Sequence, residues 1–217
     1  MRIQGISGSR GVAVGNVYKY IQEEIVIPDY EVTDDQVEAE IGKFASAMAA
    51  TLKQLDTIRQ KALVDMGADE AAIFEAHMQI AQDPSLSDGI KSLVENSKMN
   101  VVAATAQTIE TFAAIFIGMD DPYMRERGAD IKDIGDRLMR NMLGMNPRGL
   151  SHISGEVIIV AHDLAPSDTA SLDKNVVKGI VTAAGGPTSH AAIMARTLEI
   201  PAVMGVGDIE SFNDDVR

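Results

Sequence analysis

Neither cysteine nor tryptophan occurs in the chain, and aromatic residues fill only 4% of its 217 positions. Without cysteine there is no disulfide framework and no thiolate metal site. No apolar run is long enough to span a bilayer, and the opening Met1-Arg2-Ile3-Gln4-Gly5 lacks the apolar stretch of a signal peptide, so a cytoplasmic, non-membrane protein is expected. Positive charge is also scarce. Nineteen Lys and Arg face thirty-two Asp and Glu, a formal net charge of −13. That balance argues against nucleic acid and anionic membranes, both of which select basic surfaces. None of the four histidines has metal-ligand spacing, so no metal site is expected.

Hydrophobic residues make up 46% of the chain and include twelve methionines, which suits an aliphatic core of helix bundles and parallel sheets. The acidic excess is local, since residues 29–90 hold thirteen acidic and four basic side chains. This segment is either a solvated helix face or a docking surface for a basic protein.

The pattern along the chain changes twice. Residues 2–6 and 11–18 alternate as two strands around a Ser-Gly-Ser-Arg-Gly turn, and residues 25–28 read as extended. Thr33-Asp34-Asp35-Gln36 has the form of a capping box. After it Val37, Ile41, Phe44, Met48, Leu52 and Leu55 form one apolar stripe. Further helices are expected over 69–82, 84–96, 101–117 and 120–143, with Gly144 as a C-terminal stop. Their short connections imply an antiparallel bundle.

Beyond Asn146-Pro147-Arg148-Gly149, strands at 156–160, 177–181 and 202–204 alternate with helices at 167–172 and 190–198. Such alternation marks an α/β unit with parallel pairing. The economical reading is α/β plus all-α: an α/β domain of residues 1–30 and 147–217, interrupted by a helical domain of residues 31–146.

The chemistry concentrates at Gly185-Gly186-Pro187-Thr188-Ser189-His190-Ala191-Ala192-Ile193-Met194-Ala195-Arg196. Two glycines permit positive φ and close ligand approach, and Thr188 and Ser189 are favoured N-cap residues. His190 then falls in the first turn of a helix, where free N–H groups and the dipole favour an anion. A histidine there is suited to carry a phosphoryl group, because its neutral ring nitrogen is a nucleophile near pH 7 and the phosphorylated ring remains a good leaving group.

This string resembles the phosphohistidine signature of the phosphoenolpyruvate-utilising enzymes. Four more segments resemble the Enzyme I family of the bacterial phosphotransferase system: Ile6-Ser7-Gly8-Ser9-Arg10-Gly11-Val12-Ala13-Val14-Gly15, Glu70-Ala71-Ala72-Ile73-Phe74-Glu75-Ala76-His77, the stretch from Arg127-Gly128-Ala129-Asp130 to Leu138, and Ala161-His162-Asp163-Leu164-Ala165-Pro166-Ser167-Asp168-Thr169. The resemblance implies a swivelling phosphohistidine α/β domain with an inserted helical domain that binds the phosphocarrier protein HPr. It implies His190 as the residue phosphorylated from phosphoenolpyruvate, with HPr as acceptor.

Gly186, Thr188 and Ser189 would support the phosphoryl group. Thr169 matches a threonine that hydrogen-bonds near the active histidine, or else caps a local turn. Arg196 matches the signature arginine, either as a phosphate contact or as a structural ion pair. The HPr face is expected to include Asp69, Ile73, Phe74 and His77, with a partly buried interface or core position as the default for His77. His152 and His162 lie at loop or strand edges.

The sequence departs from the family pattern at three places. Pro187 stands in a slot often filled by Arg, Arg10 where many members have Pro, and Glu70 where some have Lys. The family also continues into a barrel that binds phosphoenolpyruvate and Mg²⁺ and forms a dimer, for which no segment here is a counterpart. The chain is therefore expected to be a monomeric fragment without a cofactor of its own, exchanging phosphate with HPr but not using phosphoenolpyruvate. Two other readings stay open: the phosphohistidine domain of a pyruvate phosphate dikinase or phosphoenolpyruvate synthase, and a non-catalytic HPr-binding regulator. Sugar uptake and nitrogen-linked regulation both remain possible contexts.

Overall fold

A computed structural model of the chain describes residues 2–21, 23–146, 150, 153, 155–170 and 172–209. His152 and the 147–149 part of the expected boundary turn lie outside them. The chain divides into two compact units, one of Met1–Glu23, Gln60–Ala71 and Arg148–Arg217, the other of Glu24–Arg59 and Ala72–Pro147.

The second unit is helical. It is built from α1 (Val37–Asp65) up to Arg59, α2 (Ala68–Ala81) from Ala72 onward, α3 (Pro84–Ser97), α4 (Val101–Ile117) and α5 (Pro122–Leu143). Local chemistry sets the boundaries. Gln36 accepts the Thr33 N–H at 3.1 Å ahead of α1, the Asp83 side chain caps Ser85 N at 2.8 Å with Pro84 at the first position, and the Asn100 side chain caps Ala103 N at 2.9 Å. Asn100 also donates to the carbonyls of Pro28 and Tyr30, while Glu40 accepts the Val101 N–H at 2.7 Å.

Phe44, Ile90, Val94, Val101, Ile109, Ile134 and Leu138 fill the core, and the stripe residues Val37, Ile41, Met48 and Leu52 pack against it. Burial of this aliphatic surface is the main favourable term for the unit. Helix α4 approaches α5 over a glycine face. A Cβ on Gly135 would lie 2.6 Å from Ile109, and one on Gly128 would lie 2.5 Å from Ile117.

The first unit holds a five-stranded sheet of order β1-β5-β4-β3-β2, from β1 (Ile6–Ser9), β2 (Asn16–Tyr20), β3 (Val157–Ala161), β4 (Val177–Thr182) and β5 (Ala202–Met204). Strands β2, β3, β4 and β5 run parallel, and β1 joins the edge antiparallel to β5. Helices α6 (Pro166–Thr169) and α7 (His190–Thr197) connect the parallel strands. The core comprises Ile159, Ala161, Ile180, Ala191, Ala192, Ala195, Ala202 and Met204. Strand β3, Val-Ile-Ile-Val-Ala, is a continuous apolar run, as a parallel strand buried on two faces requires, while β4 carries Lys178 and Thr182 among its apolar residues.

The structure corrects several expectations. Pairing of Ile6 with Met204 places β1 at 6–9 rather than 2–6. Pairing of Asn16 with Val157 starts β2 at residue 16, leaving Val12 and Val14 almost fully exposed. Residues 25–28 form no strand. Helix α1 continues past Leu55 to Asp65. Residues 60–71 group with the α/β unit, because Lys61 donates to the Leu172 carbonyl at 3.2 Å, Thr197 donates to Glu70 at 2.8 Å and Met66 packs on the sheet core.

Candidate active site

Strand β4 delivers the chain into the 183–189 loop, whose first residues are stapled on two sides. Ala183 and Ala184 donate to the carbonyls of Ala161 and His162 at 3.0 and 2.9 Å. Gly205 and Gly207 donate back to Ala184 and Ala183, and the Thr182 hydroxyl donates to the Ala184 carbonyl at 2.7 Å. Of the two motif glycines, only Gly185 takes positive φ, at +90°. Gly186 does not need it, and a Cβ there would meet open space. The Gly186 carbonyl accepts both the Ser189 N–H at 3.1 Å and the Ser189 hydroxyl at 2.9 Å.

Ser189, in an extended conformation, is the N-cap of α7, and its hydroxyl oxygen accepts the Ala192 N–H at 3.3 Å. His190 is thus the first residue of α7 and is half-buried. Its imidazole, and the N–H groups of His190 and Ala191, have no partner among the described residues. An imidazole free to act as nucleophile therefore stands beside two uncommitted amides at the positive end of a helix. Phosphoryl transfer asks a protein for this combination of positioned nucleophile and oxygen-binding donors.

The other expected site residues fall into place differently. Thr188 is exposed at the tip of the loop. Arg196 turns back along α7, and its Nη1 donates to the carbonyls of Gly8 and Pro187, each at 2.8 Å, with no ion pair among the described residues. Thr169 is fully buried and donates to the Pro166 carbonyl at 2.9 Å and the Ala165 carbonyl at 3.3 Å, closing its own turn. Nearby, Asp168 accepts the Tyr20 hydroxyl at 2.7 Å.

His162 is exposed on a cavity of about 650 Å³ with Lys19, Tyr20, Asp163 and Asp208, a cavity that His190 does not line. Among the described residues no three His, Asp or Glu side chains are grouped to hold a metal ion.

Of the four residues expected on a docking face, Phe74 is corrected, and His77 takes the core position that was its default. Phe74 and His77 are fully buried, so in this structure neither offers surface to a partner, whereas Asp69 is exposed and Ile73 half-buried. His77 packs edge-on against the Phe74 ring and faces two carboxylates of α5, with Nε2 3.1 Å from Asp130 Oδ1 and Nδ1 3.9 Å from Asp133 Oδ2. This buried polar cluster escaped sequence reading. Its signal was the stripe Ala71, Phe74, His77 and Ala81, spaced as a helix's inward face.

Two family models match the chain. The model of the PEP-utilising enzyme N-terminal region matches residues 4–127, and that of the PEP-utilising enzyme mobile domain matches residues 153–217. The chain belongs to the PEP-utilising enzymes. Among its relatives, the phosphoenolpyruvate-protein phosphotransferase of Listeria monocytogenes is 44% identical over 207 residues, and that of Haemophilus influenzae is 41% identical. Each alignment covers 95% of this chain and 36% of the relative, so the chain spans about a third of the length of these relatives.

The solution structure of an Enzyme I protein is 39% identical, with a TM-score of 0.82, 97% of this chain covered and 85% of that one. The N-terminal domain of Enzyme 1 – Nitrogen, at 24% identity and a TM-score of 0.65, shares the fold. The resemblance to the Enzyme I family and the expected α/β-plus-helical fold are both borne out. Among the described residues no helix is long and apolar enough to cross a membrane.

Proposed function

We propose that this PEP-utilising family member is a phosphotransferase that relays a phosphoryl group through His190. In the first half-step the Nε2 lone pair of His190 attacks the phosphorus of phosphoenolpyruvate. The bond between phosphorus and the enol oxygen breaks, and the enolate takes up a proton to leave as pyruvate. In the second half-step a histidine nitrogen of HPr attacks the same phosphorus, the bond to His190 breaks, and the imidazole is regenerated neutral.

The observation that carries this reading is the unpartnered imidazole of His190 beside the free N–H groups of residues 190 and 191. Those amides receive phosphoryl oxygens without any rearrangement, which is the electrostatic preorganisation such a transfer needs. HPr is the proposed acceptor, docking on the acidic helical segment through exposed residues such as Asp69 and the edge of Ile73. Phosphoenolpyruvate and Mg²⁺ belong, in this reading, to a site other than the one built around His190. The relay operates in the cytoplasm.

The test is phosphoryl exchange with ³²P-labelled phospho-HPr. Label is expected on the wild-type chain and absent from His190→Ala. Label persisting in His190→Ala refutes the assignment.

A further inference from the structure

The most constrained cation near the loop is Arg196. It lies near the C-terminal end of α7, yet its guanidinium reaches back past the whole helix to the turn that precedes His190. Nη1 carries two hydrogens, and both are committed: one to the Pro187 carbonyl, one to the Gly8 carbonyl, each at 2.8 Å. A charged donor bonded to a carbonyl is among the stronger hydrogen bonds a protein makes.

The two acceptors explain why a cation is needed there. Strand β1 is the edge of the sheet, and its pairing with β5 is interrupted between Ser7 and Ser9. Gly8 sits in that interruption, where a bulge leaves ladder groups unpaired. Pro187 follows the two glycines in a turn held otherwise by the hydrogen bonds of Ser189. Arg196 also lines a cavity of about 410 Å³ with Ser7, Gly8, Ser9, Arg10 and Glu199. A phosphoryl oxygen can therefore take Nη1 only by releasing one of the two carbonyls.

We infer that Arg196 is a positioning residue for the His190 loop: a single nitrogen ties the turn before the nucleophile to the bulge of the edge strand, holding the imidazole in line for transfer. The inference rests on the phosphoryl-relay reading of His190. A loop released from the sheet edge keeps its nucleophile but loses its aim, and misplacement by about 1 Å costs on the order of 100-fold in rate.

The test uses Arg196→Met and Arg196→Lys in exchange with phospho-HPr, together with amide spectra of the unphosphorylated chain. In Arg196→Met the kcat is expected to fall about 10- to 100-fold with KM for the carrier unchanged. The amide resonances of Thr188, Ser189 and His190 should move while those of β3 and β4 stay. Lys, one bond shorter but still a charged multiple donor, should recover part of both. An unchanged kcat in Arg196→Met overturns the inference, as does a rise in KM alone or a loss that Lys restores without returning the loop resonances. Failure of the relay reading is separately visible, as label persisting in His190→Ala.

Discussion

Replacing the two motif glycines one at a time separates backbone requirement from mere sequence pattern. At Gly185, with φ of +90°, any L side chain occupies a sparsely populated region, at a cost of about 1–3 kcal/mol. The new Cβ would also stand 3.3 Å from the Ser189 hydroxyl, closer than ordinary contact. That hydroxyl caps α7 through a bond already 3.3 Å long, and losing the cap costs a further ~1 kcal/mol. Gly185→Ala is therefore expected to weaken the start of α7 by about 2–4 kcal/mol. At Gly186, φ is not positive and a Cβ meets nothing within 4 Å, so Gly186→Ala should fall within about 0.5 kcal/mol of wild type.

Native-state amide exchange reads this directly. Protection of residues 194–197 should drop about 30- to 900-fold in Gly185→Ala and stay unchanged in Gly186→Ala. Phospho-HPr exchange should follow the same order. Equal losses at the two positions, or full protection in Gly185→Ala, would refute the reasoning.

The helical unit supplies a second glycine contrast: Gly42→Ala on α1, with open space around it, should gain about 0.5–1 kcal/mol from helix propensity. Gly135→Ala drives a methyl to within 2.6 Å of Ile109 and should lose about 1 kcal/mol net, overpacking outweighing propensity, as followed by urea unfolding of the helical circular-dichroism signal. The Lys98 ammonium beside Asp34 holds that carboxyl below the usual carboxylate range. Because the folded pKa is the lower one, the pairing stabilises the fold above the unfolded pKa and is lost as pH falls through the folded value. The Asp34 carboxyl resonance should titrate at higher pH in Lys98→Met than in wild type, and identical titrations would remove the cause assigned here.

The parts of the fold legible in sequence were those with a local chemical marker. Asp83-Pro84, Asn100 and Gly144 end or begin helices by their own hydrogen-bonding and φ preferences, and the helix ends fell within a residue or two of those markers. Strand β3 was equally plain, because a buried parallel strand favours a continuous apolar run, and β4 and β5 were marked by their β-branched residues between turn signals. Val12 and Val14 misled because alternation announces burial only if a neighbouring strand arrives, and β3 pairs first at Asn16. The second half of α1 carried no single stripe, since its residues past 59 group with the other unit.

At the site, the position of His190 at the head of a helix followed from the serine before it. The hydrogen-bond partners of Gly186 and Arg196 did not, because each involves a carbonyl that only the fold brings near, Gly186 as an acceptor for Ser189 and Arg196 as a donor to Gly8 and Pro187, whereas the bond of Thr169 to Pro166 is the local turn cap that was one of its two readings.

The strand order carries a consequence for biosynthesis. Strands β1 and β2 come from the first twenty residues yet form opposite edges of the sheet, and the three strands between them are made last. Tyr20 must wait for Asp168, 148 positions later, to receive its hydroxyl. At ribosomal speed that interval is on the order of ten seconds. By its end the helical unit between them has been made and can fold on its local contacts, while the two strand segments still lack partners. Their short lengths and the exposed, glycine-flanked stretch between them keep that waiting period from becoming an aggregation hazard.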